Sequence, residues 1–178
     1  MKIKCFPKTM SEAQAMKIAE RGGNILGRVL FGNKRIQLKL MYLESRYIEY
    51  EMTYSTNVIS NLFKKQNEKE KQKIRVLVEG TRCTAAYLPE GIKVVLKDVR
   101  EEDIQFSEFT DELIIGKGKD MCRRMVRRQV GSYITMDVIS MESVYRPYYI
   151  AFYGELVEGT KVRYLPIQAD GNEVKRTI

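Results

Sequence analysis

The strongest constraint on the fold is an alternation of period two. Ile36, Leu38, Leu40 and Tyr42 alternate with Gln37, Lys39 and Met41, and Ile48, Tyr50, Met52 and Tyr54 alternate with Glu49, Glu51 and Thr53. Successive side chains of a strand point to opposite faces, so each run buries one face and wets the other. The same residues wound as a helix would scatter their apolar side chains around its circumference. The chain is therefore expected to form antiparallel sheet here, with Glu44-Ser45-Arg46 as a turn between two strands. Further strands are expected at Ile74–Val78, Cys83–Tyr87, Ile92–Leu96, Ile134–Met141 and Val144–Tyr153, and around Val162, Tyr164 and Ile167. Pro89-Glu90-Gly91 and Asp170-Gly171-Asn172 read as turns.

Two segments change to helical spacing. Ser11 suits an N-cap and Glu12 the positive end of a helix dipole, while Ala15, Met16, Ile18 and Ala19 share a stripe that stops at Gly22-Gly23. This predicts a helix over about 11–21. Met121, Cys122, Met125, Val126 and Val130 lie on one side of a second helix, predicted over about 119–130. Its other side carries Arg123, Arg124, Arg127 and Arg128. Residues 64–73 contain no apolar side chain, so an exposed, charged hairpin extension over about 61–73 is expected. The fold class is α+β, with helices packed on an antiparallel sheet.

Both halves run in the order helix, strand, Tyr-rich strand, Lys-initiated strand, acidic-Gly turn. Lys73-Ile74-Arg75-Val76-Leu77 matches Lys161-Val162-Arg163-Tyr164-Leu165, and Glu79-Gly80 matches Asp170-Gly171. Two similar helix-plus-meander halves, 1–98 and 99–178, are the expected organisation, with one compact domain as the alternative. The closing Ala169-Asp170-Gly171, and more loosely Val78-Glu79-Gly80-Thr81, resemble the end of the last strand in PepSY and cystatin-like domains. The resemblance spans about 11–96 and 119–178. It implies a tandem α+β binding or inhibitory module, and it transfers no functional residue.

Composition narrows the chemistry. The 178 residues contain no histidine, which removes Ser-His-Asp and Cys-His mechanisms and His-ligated metals. The three cysteines, Cys5, Cys83 and Cys122, are widely spaced and form no C-x-x-C pair, so neither a disulfide framework nor a zinc ribbon is expected. No cofactor and no metal are implied. A net charge of +8 favours acidic partners. No apolar run approaches the roughly 20 residues that span a bilayer. No signal-peptide core follows Met1-Lys2-Ile3-Lys4, so a cytoplasmic protein without membrane contact is expected.

Three candidate sites remain. Cys122 sits among Lys119, Arg123 and Arg124 at the predicted start of the second helix, where cations would favour thiolate; packed with Met121, Met125 and Val126 it would be inert. Lys117 and Lys119, in the glycine-flanked Ile115-Gly116-Lys117-Gly118-Lys119, could hold an anion, although the Walker A spacing is absent. With the four arginines they could follow a phosphate backbone, or pair with the acidic 101–112 segment of this or another copy. Tyr145, Tyr148 and Tyr149, with Tyr153, form the densest aromatic patch and suit an interface or base stacking. The chain thus reads as a non-catalytic protein-binding or regulatory module, with a protein partner or self-association expected. Nucleic-acid binding through the Arg helix and the Lys-rich loop is the alternative.

Overall fold

The structure is a computed structural model and describes residues 1–22, 35–55, 69–88, 93–126, 134–155 and 162–171. Its strands are β1 (Lys2–Cys5), β2 (Ile36–Ser55), β3 (Lys69–Glu79), β4 (Thr84–Tyr87), β5 (Val95–Asp98), β6 (Ile104–Gln105), β7 (Ile134–Tyr153) and β8 (Arg163–Gln168). The helices are α1 (Glu12–Glu20) and α2 (Asp111–Val126). The fold is α+β. The eight strands form one mixed sheet in the order β4-β3-β2-β7-β1-β5, with β6 on β2 and β8 on β7. β5 on β1, β3 on β2, β4 on β3 and β8 on β7 run antiparallel, and β1 on β7 and β6 on β2 run parallel.

Two compact units are present. One takes Met1–Leu43, Lys93–Gln105 and Val144–Glu173; the other is built from Glu44–Ile92 and Phe106–Ser143. Each is assembled from separate stretches of the chain, and β2 and β7 each run through both. Neither strand breaks where the sequence suggested. Glu44-Ser45-Arg46 is not a turn, because β2 passes straight through it and Glu44 is buried. The carboxylate is satisfied there: the Ser143 hydroxyl donates to its Oε1 at 2.7 Å, the Ser107 N–H to its Oε2 at 2.9 Å, and Arg46 pairs with it. Likewise, 134–141 and 144–153 are one strand.

In the first unit, α1 begins at Ser11 with a capping box. The Ser11 hydroxyl accepts from the Gln14 N–H at 3.3 Å, and the Gln14 side chain accepts from the Ser11 N–H at 2.8 Å. Ala15 and Ala19 let the helix lie close on Tyr149, Ala151, Tyr153, Ile167 and Ala169. The Tyr153 hydroxyl donates to the Ala19 carbonyl at 2.7 Å, satisfying part of the helix end. Gly22 follows at φ +63°, the left-handed stop that the sequence indicated; Gly23 lies outside the described residues. Pro147 falls between the partners of one β7 flank, after the Tyr145 bridge to β1 and before the β8 ladder starts at Tyr148, so its missing N–H breaks no ladder bond. The Asp170 carboxylate is buried against Arg146, whose Nε donates at 2.8 Å, and it also receives the Gln168 amide at 2.6 Å. Gly171 takes φ +70°, in keeping with a turn at this point; Asn172 lies outside the described residues.

In the second unit, the period-two reading holds. Ile48, Tyr50 and Met52 of β2 and Ile74, Val76 and Val78 of β3 form one core with Ile114, Met121, Cys122 and Val126 of α2. The ladder runs from Ser45↔Glu79 to Ser55↔Lys69, so 69–73 are strand and not loop. The sequence misled because these residues carry only polar side chains. Their cations meet carboxylates across the ladder: Lys71 meets Glu51 at 2.8 Å, and Lys73 and Arg75 each meet Glu49 at 3.2 Å. Residues 61–68 of the expected extension lie outside the described residues.

Candidate functional site

The second helix starts at Asp111, eight residues earlier than its apolar stripe indicated. The Thr110 hydroxyl accepts from the Leu113 N–H at 3.4 Å, and the first turn carries Asp111 and Glu112. The expected glycine-flanked anion loop is therefore absent. Gly116 and Gly118 lie inside α2, where backbone N–H groups are engaged in the helical ladder. Gly118 is there for contact: a Cβ on it would stand 2.1 Å from the Tyr50 hydroxyl oxygen.

The predicted site residues separate accordingly. Lys117 is exposed and Lys119 half-buried on α2. Arg123 and Arg124 are exposed, with Arg123 donating to the Asp120 carboxylate at 3.2 Å and Arg124 to the Asp120 carbonyl at 3.3 Å. Arg127 and Arg128 lie outside the described residues. Tyr145, Tyr148, Tyr149 and Tyr153 are all buried in the apolar clusters of the first unit, so none presents a ring face for stacking. Successive residues of a strand point to opposite faces, yet all four are buried because both faces of β7 are covered over Val144–Tyr153. Cys122 is fully buried and its thiol is pushed up to about 11 by burial, the inert alternative for this residue.

The surface that remains open is a strand edge. β5 has a single neighbour, β1, among the described residues. The Met1 amine donates to the Val99 carbonyl at 2.6 Å and the Val99 N–H to the Met1 carbonyl at 2.9 Å. That doubly bonded pair sets the phase of the ladder. With the register Lys2↔Asp98, Ile3↔Lys97, Lys4↔Leu96, Cys5↔Val95, the residues Leu96 and Asp98 fall in non-hydrogen-bonded pairs. Their N–H and C=O groups point to the open side. Three consecutive apolar residues lie along this edge, with exposures of 46% for Val94, 44% for Val95 and 67% for Leu96. Lys93 and Lys97 bracket them, and Lys2 and Lys4 stand on the neighbouring strand, against one carboxylate at Asp98.

The sequence reading placed a strand near this segment but gave the edge no role. A legible signal was the Lys-Val-Val-Leu-Lys pattern, since lysines commonly flank an apolar edge and discourage its pairing with an identical copy. Among the described residues no three His, Cys, Asp or Glu side chains gather into a metal-binding group, and no helix is long and apolar enough to cross a membrane. Comparison with known proteins finds no matching family model, no matching curated protein and no matching solved structure.

Proposed function

We propose that the chain is a non-catalytic protein-binding module that adds an extended, acidic segment of a partner protein to the open edge of β5. The observation that carries this reading is the coincidence of outward backbone groups at Leu96 and Asp98 with the exposed Val94-Val95-Leu96 run. Strand addition draws affinity from main-chain hydrogen bonds and specificity from alternate side chains. Covering the exposed part of each of the three side chains, roughly half to two thirds of it, would contribute about 1–2 kcal/mol before the cost of association. The charge of the edge selects the partner. Lys2, Lys4, Lys93 and Lys97 repel a second identical edge and attract a strand whose flanking residues are acidic. The resemblance to small PepSY and cystatin-like binding modules, and the cytoplasmic location expected from the sequence, accord with this role.

The test uses a fluorescent synthetic peptide alternating Val and Glu, a control alternating Val and Lys, and a Leu96→Pro variant. The Leu96 N–H faces the open side, so proline there leaves the β1 ladder intact and blocks one docking hydrogen bond. The acidic peptide is expected to bind at low salt, to weaken as salt rises, and to bind at least about tenfold more weakly to the variant. Equal binding of both peptides, or no effect of the proline in a variant with an unchanged circular dichroism spectrum, refutes the reading. Sedimentation that shows a dimer abolished by the same proline would reassign the edge to self-association.

A further inference from the structure

Two lysines of the first unit are spent in an unusual way. Lys97 of β5 donates to the Tyr42 hydroxyl at 2.6 Å, and Lys8, three residues after β1, donates to the Tyr149 hydroxyl at 2.9 Å. The ammonium nitrogens lie 5.2 and 5.4 Å from the respective ring centroids, close to the hydroxyl's reach plus the hydrogen bond. They therefore sit beyond the hydroxyls, at the rims of the rings, and not over the ring faces. Among the described residues neither ammonium has a carboxylate within salt-bridge distance.

Both tyrosines are buried, at 3% and 4% exposure, whereas Lys8 and Lys97 are exposed, so each pair reaches the surface through its lysine. A phenol that accepts from lysine keeps its own proton to donate. Among the described residues neither proton has an acceptor. The two pairs are neighbours, since Leu40 packs against both the Tyr42 cluster and the Tyr149 cluster. Lys8 feels both rings as well: its pKa is raised first by the hydrogen bond it donates to Tyr149, against a smaller lowering by burial, with further electrostatic contributions from Tyr149, Tyr42 and Glu12.

We propose that Lys8, Lys97, Tyr42 and Tyr149 form a binding site for a dianionic phosphate group, such as a phosphate monoester. Two ammonium groups match its two negative charges, and two hydroxyl protons meet its oxygens as donors. A buried donor without an acceptor costs free energy, and an oxyanion supplies the missing partner. A phosphodiester or a carboxylate, each with one charge, leaves half of the site's charge unmet. The site shares only the charge of Lys97 with strand docking at β5, whose hydrogen bonds come from the Leu96 and Asp98 backbone, so loss of one binding activity leaves the other testable.

The test is calorimetric titration of the full chain at low salt with inorganic phosphate, dimethyl phosphate and acetate. Inorganic phosphate is expected to bind with Kd about 1 mM or tighter, at least about tenfold more tightly than either monoanion. Tyr42→Phe combined with Tyr149→Phe keeps both rings and removes both hydroxyls, and should weaken phosphate at least about tenfold. Lys8→Met combined with Lys97→Met should abolish binding, and serves as the second arm should the tyrosine variant misfold. Absence of phosphate binding, preference for the diester or acetate, or phosphate affinity unchanged in both double variants overturns the assignment.

Discussion

Gly116 and Gly118 stand two residues apart in α2, and the structure predicts opposite effects when each becomes alanine. Alanine in a helix interior is favoured over glycine by about 0.5–1 kcal/mol. A Cβ at Gly116 would meet nothing within 4 Å, so Gly116→Ala should gain that amount. At Gly118 the new Cβ would stand 2.1 Å from the Tyr50 hydroxyl oxygen and 2.9 Å from its Cζ, far inside van der Waals contact. Tyr50 has nowhere to go. It is fully buried among Ile48, Met52, Val76 and Cys122, and its hydroxyl donates to the Ile115 carbonyl at 2.9 Å. Relief requires either that the ring turn and leave a buried hydroxyl without its partner, or that the helix lift off the sheet. Either response costs about 1–3 kcal/mol, against a propensity gain of about 1 kcal/mol. The net loss for Gly118→Ala is therefore up to about 2 kcal/mol, and the two variants should differ by about 1–3 kcal/mol. Urea unfolding monitored by circular dichroism measures both, and in a chain of this size each kcal/mol moves Tm by about 2–4 °C. A third variant isolates the cause. In a Tyr50→Phe background the hydroxyl is gone, so Gly118→Ala should cost about 1 kcal/mol less than in the native protein. If Gly118→Ala is as stable as Gly116→Ala, the packing of α2 on β2 described here is wrong.

Two other perturbations test separate parts of the molecule. Asp170→Asn leaves the buried Arg146 guanidinium without its counter-charge and should cost about 3–5 kcal/mol by urea unfolding; a loss under about 1 kcal/mol would mean that the pair is not desolvated. All three thiols are buried and their pKa values are raised by desolvation, so an aromatic disulfide reagent at about pH 8 should label none of them rapidly in the folded protein and all three in urea. Prompt labelling of Cys122 in the native state would contradict its place in the core.

The architecture was legible wherever side-chain period coincided with burial. The even positions of 48–52 and 74–78 are buried as the alternation requires, and Ser11 caps α1 because the Ser-x-x-Gln spacing allows a reciprocal pair. The misreadings share one cause: polar residues were assigned to turns and loops, whereas tertiary partners hold them inside elements. Glu44 sits mid-strand because Ser107, Ser143 and Arg46 satisfy it, and none of these lies within one residue of it in the chain. Lys71 and Lys73 are strand because Glu51 and Glu49 wait across the ladder. Gly118 sits mid-helix and marks no loop, because Tyr50, more than sixty residues away, occupies the space that a larger residue would take. Such pairings depend on which segments meet, and a periodicity of two or 3.6 residues carries no information about that.

Net charge illustrates the same separation between what is countable and what is placed. The surplus of +8 pointed to an acidic partner but gave no location, and the Arg-rich helix was the natural guess. In the structure many cations are met locally: Glu49 takes Lys73 and Arg75, Asp103 takes Lys39 and Arg100, and Asp120 takes Arg123. Exposed pairs of this kind contribute little to stability, but they remove a cation from the field that a partner sees. Lys8 and Lys97 are different, because a neutral phenol accepts their hydrogen bonds without cancelling their charge. The positive charge of Lys8 and Lys97 therefore lies on β5 and just after β1, beside the sheet edge whose backbone and apolar side chains are open among the described residues. Each feature there argues for a negatively charged ligand by a separate route. Backbone geometry favours a strand, and two charge-bearing phenol pairs favour a compact dianion; the Lys97 charge serves both, so Leu96→Pro and the paired Tyr→Phe variant are what tell the peptide and phosphate titrations apart.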